Sequence, residues 1–245
     1  MAATKKATNR ISKNGKGTAI VEKEIRIAPL NVGKFPLTLI GMSQLVVHNF
    51  DEKSRQQMLE QQLGPSPTKK KDRKPRCPEQ EYVESLHWVK GDKPSFEYDE
   101  QNKKWIFDKK SITRLVSKGT FGIPLTAFKG AIVSSCRSTG YHMTEMRQMV
   151  FVSSDDDSEY AIIRGSVPQC REDIVRIDGG RTPMVRFRPY FDPWETTIIV
   201  EHNRDLITEE QVVNLFQTAG FSVGVMEGRP EKAALGWGRW KVKGT

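Results

Sequence analysis

Two short segments place cations among glycines and small side chains, a composition that lets a protein backbone come close to a phosphate group. The first is "GIPLTAFKGAIVSSCR", residues 122 to 137. Ile123 and Pro124 set an extended entry and a helix start, because the N–H that proline lacks is not needed in the first helical turn. Lys129 and Gly130 then fall in the first turns, where unpaired backbone N–H groups and the helix dipole favour an anion. Arg137 lies about two turns further on and adds a second cation. The second segment is "GRPEKAALGWGRWKV", residues 228 to 242. Gly228, Gly236 and Gly238 bracket a loop carrying Arg229 and Lys232, with Trp237, Arg239 and Trp240 at its end. No Gly-Lys-Ser/Thr follows, and the loop leads into a strand rather than a helix, so it is not a nucleotide-binding P-loop. Each segment also has a plainer reading: an amphipathic helix with a solvated lysine, and a turn whose glycines serve sterics alone.

A third segment, "MVRFRPYF" (184–191), alternates Arg186 and Arg188 on one strand face with Val185 and Phe187 on the other. Basic and aromatic interleaving suits phosphate contact with base stacking. It equally suits an edge strand blunted by Pro189. A fourth, "GPSPTKKKDRKPRCP" (64–78), includes Lys69, Lys70 and Lys71 and is too polar to fold alone. As an internal basic loop it is expected to clamp a polyanion or a neighbouring subunit.

The residues that could do metal or acid–base chemistry are less well arranged. Cys77, Cys136 and Cys170, like His48, His87, His142 and His202, are scattered without metal-ligand spacing, and no metal or cofactor is expected. The run Asp155-Asp156-Asp157-Ser158-Glu159 offers oxygen ligands but lacks the spacing of a calcium loop, and a solvated hairpin turn is the expected role. Asp51 precedes a helical pattern and reads as its N-cap. No hydrolase or metalloprotease pattern is present.

The bulk composition is consistent with a polyanion partner. Lys and Arg total 39 against 30 Asp and Glu, a net +9. A basic surface kept only for solubility is the alternative. No apolar run approaches the roughly 20 residues of a membrane span, and "MAATKKATNRISKNGKGT" has no signal-peptide core. The odd, dispersed cysteines fit a reducing compartment, so a cytoplasmic location is expected.

The elements that must position these segments read as a mixture. Strands are expected at 19–30, 34–50 (broken at Gly41), 147–154, 159–170, 173–178, 184–191 and 196–203. Helices are expected at 51–64, 124–138 and 209–220, the last with Thr208 and Gln211 at capping-box spacing and Gly220 as its stop. This pattern implies α+β, with helices on one face of an antiparallel sheet, in a ferredoxin-like or RNA-recognition-type layout. Residues 1–18 form a basic tail, expected to be disordered, and 19–245 a single domain. Insertions fall around 64–105 (basic, flexible) and 170–192.

The first two segments together resemble the RAMP superfamily, especially the backbone subunits of CRISPR effector complexes. Ile123, Pro124, Lys129, Gly130 and Arg137 match that family's Ile-Pro entry into a Lys-Gly helix ending on Arg. Leu125-Thr126-Ala127 replaces the usual Gly-Ser-Ser. Gly236-Trp237-Gly238-Arg239 is similar to the glycine-rich loop near the family's C-terminus. The resemblance covers about a third of the chain. It implies a modified RNA-recognition fold with thumb-like insertions, whose copies stack helically along RNA and grip its backbone regardless of sequence. Similar solitary proteins of phage genomes suggest single-stranded DNA as an alternative ligand.

The expected function is therefore sequence-independent binding of single-stranded RNA or DNA by a self-associating protein. Lys129, Gly130, Arg137, Arg186, Arg188, Arg229, Lys232 and Arg239 are the expected phosphate contacts, with Phe187 and Trp237 stacking bases. Two alternatives stand beside it. One is a metal-dependent nuclease using Asp51, where the family's cutting members carry an Asp after the first long strand. The other is a structural, protein-binding assembly component.

Overall fold

A computed structural model describes residues 28–49, 74–177, 182–233 and 235–244, with positions 55, 58, 59, 62 and 63. The chain divides into two units, Met1–Leu30 and Asn31–Thr245, and every element below belongs to the second. The basic tail 1–18, residues 19–27 of the first expected strand, Asp51, and the lysines Lys69, Lys70 and Lys71 lie outside the described residues.

Along the chain the strands are β1 (Val32–Gly41), β2 (Leu45–Val46), β3 (Trp88–Lys90), β4 (Glu97–Asp99), β5 (Lys104–Ile106), β6 (Thr120–Pro124) and β7 (Val150–Ser153). Then come β8 (Tyr160–Ile162), β9 (Arg164–Gly165), β10 (Gln169–Ile177), β11 (Thr182–Phe191), β12 (Trp194–Asn203) and β13 (Trp240–Val242). The helices are α1 (Pro78–Glu84), α2 (Lys109–Lys118), α3 (Leu125–Thr139), α4 (Met143–Met149) and α5 (Glu209–Ser222). The result is α+β with antiparallel sheets, as the sequence pattern implies.

The main sheet runs β13-β1-β12-β7, each neighbour antiparallel, with β9 also on β12. Its centre follows from strict alternation. In β12, Trp194, Thr196, Ile198, Val200 and His202 are buried and the residues between them half-exposed. Opposite them, Leu37 and Leu39 of β1 face the same way. Phe128 and Ile132 of α3 and Val212, Leu215 and Phe216 of α5 complete this core. Phe128 meets Trp240 edge to face, with ring centroids 5.6 Å apart. Each such side chain contributes about 1.5–3 kcal/mol by burial. The other face of the sheet carries the Lys34–Glu201 ion pair at 2.9 Å and a Thr38–Thr197 hydroxyl contact at 3.0 Å.

Thr208 caps α5 as its spacing predicts: its hydroxyl accepts from the Gln211 N–H at 3.2 Å, and the Gln211 side chain accepts from the Thr208 N–H at 2.9 Å. Such a cap contributes about 1 kcal/mol. The helix does not stop at Gly220 but continues to Ser222. Gly220 serves close packing instead, because a Cβ there would lie 2.3 Å from the Trp240 carbonyl oxygen.

Four other expectations change. The sequence pattern offers no element between 108 and 119, yet α2 forms there, capped by the Asp108 carboxylate, which accepts from the N–H groups of Lys110 (3.1 Å) and Ser111 (3.0 Å). The expected strand at 147–154 begins only at Val150, because residues up to Met149 are the end of α4. The expected strand at 159–170 divides among β8, β9 and the first residues of β10, which pair with different strands. Residues 155–159 do not close a hairpin, since β7 pairs with β12 while β8 pairs with β6.

The 170–192 region is a long hairpin. β10 and β11 pair from Gln169–Tyr190 to Ile177–Thr182, and the base of β11 also pairs with β2. Among the described residues, no helix is long and apolar enough to cross a membrane.

Candidate functional site

Small residues on α3 recur at helical spacing. Thr126, Gly130 and Ser134 form one row and Ala127 and Ala131 the next. These side chains are one wall of an open groove of about 510 Å³, with Pro124 at one end and Arg137 at the other. The opposite wall is the stretch Val223–Glu227 with Arg229, Glu231 and Lys232. The two segments singled out in the sequence, nearly a hundred residues apart, thus face each other. Gly130 is exposed, and a Cβ there would meet nothing within 4 Å, so internal packing does not demand glycine at this position.

The loop wall is held in an unusual backbone path. Gly224, Gly228, Gly236 and Gly238 all have positive φ, and so does Met226 at +61°, a non-glycine residue in the left-handed region. Gly238 is the tightest point: at φ +63°, a Cβ would sit 2.0 Å from the Val225 carbonyl oxygen. That approach is used for hydrogen bonds, Val225 N–H to Gly238 O at 3.0 Å and Gly238 N–H to Gln44 O at 2.8 Å.

Charge in the groove is mixed but net positive: Arg137, Arg229 and Lys232 against Glu227 and Glu231. Glu231 organises the cations. Its carboxylate lies 3.3 Å from Arg137 and 3.4 Å from Arg229, and its side chain is 15% exposed. Burial works against its charge. Hydrogen bonds from Ser134 and Arg229, and the charges of Lys232 and Arg229, more than offset this and hold the carboxyl below its ordinary value. Arg229 also donates to the Met226 carbonyl at 3.0 Å, which fixes its guanidinium. Arg137 keeps a 65% exposed side chain, and Lys232 is exposed.

Lys129 is placed differently from the expected phosphate contact. Its ammonium donates to the carbonyls of Met146 (3.1 Å), Arg147 (3.0 Å) and Val150, and lies 4.6 Å from the Phe151 ring centroid. It caps the end of α4, where unpaired carbonyls and the negative end of the helix dipole attract a cation. Nor does it line the groove.

The hairpin cations also divide. Arg188 is 12% exposed and sits between Asp173 (4.0 Å) and Glu227 (3.5 Å), tying the hairpin to the loop wall. It is therefore a structural link, because two carboxylates already occupy its guanidinium. Arg171 reinforces that link, binding Asp173 at 2.7 Å and stacking 4.1 Å from the Trp237 ring. Trp237 is thus partly covered by protein. Arg186 is half-exposed on the same hairpin face, and Phe187 is half-exposed on the other, beside Glu172 and Val185. Arg239 turns away from the groove, with its guanidinium 4.7 Å from the Phe221 ring and its backbone joined to Ser43 and Met42.

Gly130, Arg137, Arg229 and Lys232 are therefore brought together, whereas Lys129, Arg186, Phe187, Arg188, Trp237 and Arg239 are not in the groove. Glu231, Glu227 and Arg171 were missed by sequence reasoning. Only Glu231 had a local signal, two residues after Arg229. Among the described residues, no group of three or more His, Cys, Asp or Glu side chains is placed to hold a metal ion. Compared with models of known protein families and with curated proteins, the sequence matches none.

Proposed function

We propose that the chain binds single-stranded nucleic acid along its phosphate backbone, in the groove between α3 and the loop 223–232. The observation that carries this reading is the meeting of Gly130 and Arg137 with Arg229 and Lys232 across one open groove. Exposed cations above a wall of small side chains can take a phosphate chain without reading base edges. The strained Met226 on the opposite wall favours a ligand site over an idle surface, because strained backbone clusters at such sites. The strand order β13-β1-β12-β7, with α3 following β1 and α5 following β12, supports a ferredoxin-like core. Together with the two sequence segments it supports kinship with the RAMP superfamily, and hence self-association along the strand.

The test is oligonucleotide binding measured across salt concentrations, with RNA and DNA of the same sequence. Arg137→Gln/Lys232→Gln is expected to weaken binding to all sequences and to reduce the slope of log K against log salt by about 1.4, two single-strand phosphate contacts. An unchanged slope in a folded variant removes the groove from the interface. No binding by the wild type at low salt overturns the function.

A further inference from the structure

The helix α2 presents an exposed face of cations, offset at its ends by the Asp108 carboxylate cap and by the placement of Lys118 in the last turn, where a cation is favourable. Its exposed positions are 109, 110, 113, 114, 117 and 118, occupied by Lys, Lys, Thr, Arg, Ser and Lys, while Ile112 and Val116 are buried beneath. There is no acidic residue in the helix. Lys109 and Lys110 stand in the first turn, at the positive end of the helix dipole, where cations are unfavourable. Lys110, Arg114 and Lys118 follow one another at i, i+4 and i+8, and like charges at that spacing repel. A surface kept only for solubility would intersperse signs, as the handful of acids in other first turns does here: Glu79 and Glu81 in α1, Glu209 and Glu210 in α5. One cation of the stripe, Lys109, is balanced by Glu79 at 2.9 Å.

The side chains of this stripe bound a shallow surface depression of about 400 Å³ lined by Lys109, Lys110, Thr113, Arg114 and Ser117. The two hydroxyls donate to the helix backbone, Thr113 to the Lys109 carbonyl and Ser117 to the Arg114 carbonyl. The remaining donors are the cations. Successive members of the Lys110, Arg114 and Lys118 row are about 6 Å apart along the axis, comparable to the separation of successive phosphates on an extended strand.

We infer that α2 is a second contact for the phosphate backbone of the same single strand, beyond the groove. The inference rests on the nucleic-acid reading above. Charge complementarity fixes the occupant: a row of cations with no intervening acid matches a polymer with one negative charge per repeat. Repulsion within the helix is relieved when the strand is bound.

The test compares the wild type with Lys110→Gln/Arg114→Gln/Lys118→Gln, in which glutamine retains helix propensity. Salt slopes are measured on a homopolymer long enough to cross the whole protein and on one of only a few nucleotides. The expected result is a slope smaller by about 2 on the long strand, three contacts' worth, and an unchanged slope on the short one. The charge-preserving Lys110→Arg/Lys118→Arg should keep the wild-type slope on both, which separates charge from fold. If the glutamine variant is folded and keeps the full slope on the long strand, the α2 contact is overturned while groove binding stands. If the wild type binds no single strand, both are overturned. If the stripe instead retains an acidic protein or anionic vesicles and the long-strand slope is unaffected, the assigned occupant is wrong.

Discussion

Replacing Lys129 with methionine separates two roles that the sequence could not tell apart. The methionine stem fills the same space but loses every donor to the end of α4. Two of the three carbonyls it serves, those of Met146 and Val150, are partly buried, and the Arg147 carbonyl is exposed enough for water to replace the ammonium. Hydrogen bonds to a charged group contribute about 1.5–3 kcal/mol each. The release of a half-buried ammonium to water recovers part of that sum. A net loss of about 2–4 kcal/mol is therefore expected, with a melting temperature lower by about 5–15 °C for a chain of this size. Thermal and denaturant unfolding would measure it, alongside oligonucleotide binding at several salt concentrations. The salt slope should not change. Burial also lowers the Lys129 pKa from the ordinary lysine value. In the window just below that value the unfolded chain holds more protons, so stability rises with pH, and the variant should lose this rise. Wild-type stability together with a slope reduced by about 0.7 would refute the capping role and return Lys129 to the phosphate contacts.

Three further outcomes follow from the geometry. Gly238→Ala should destabilise by about 2–4 kcal/mol in chemical denaturation, since it combines a left-handed backbone with a Cβ set against the Val225 carbonyl; an effect under about 0.5 kcal/mol would mean the loop has another path. Glu231→Gln should bind oligonucleotides a few-fold more tightly at low salt, because it removes a negative charge from between Arg137 and Arg229; weaker binding would show that the carboxylate's chief role is to position them. The His87 pKa is pushed down to about 4, by burial first and then by His48. Its folded value lies below the unfolded one, so stability should fall as pH drops from about 6.5 towards 4, and His87→Asn should flatten that part of the unfolding profile.

Local chemistry made some of this legible. The alternation of β12, the capping box of α5 and the proline entry of α3 each state their structure within a few residues. The two glycine-bearing cationic segments were visible as residue types, but their facing each other across one groove was not. What stayed hidden was long-range. Nothing near Lys129 in the sequence announces carbonyls 17 to 21 residues away. Arg188 looks like a surface cation until Asp173 and Glu227 close on it from two other elements. α2 escaped because its apolar positions are few and because nothing in the sequence around Asp108 marks it as a cap.

The pairing of β1 with β12 and β13 has a consequence for synthesis. Val32 pairs with Asn203, and Leu39 with Val242. On the ribosome, β1 emerges long before either neighbour exists, and it waits without a partner on both edges until residues 194–203 and then 240–242 have been made. Pairings so distant in sequence form slowly and leave strand edges open to other chains meanwhile. The main sheet cannot close during that wait. Arg137 and Lys232 therefore come to face each other only after residues 223–232 have been made, and a chain interrupted before them would carry Arg137 without the opposite wall.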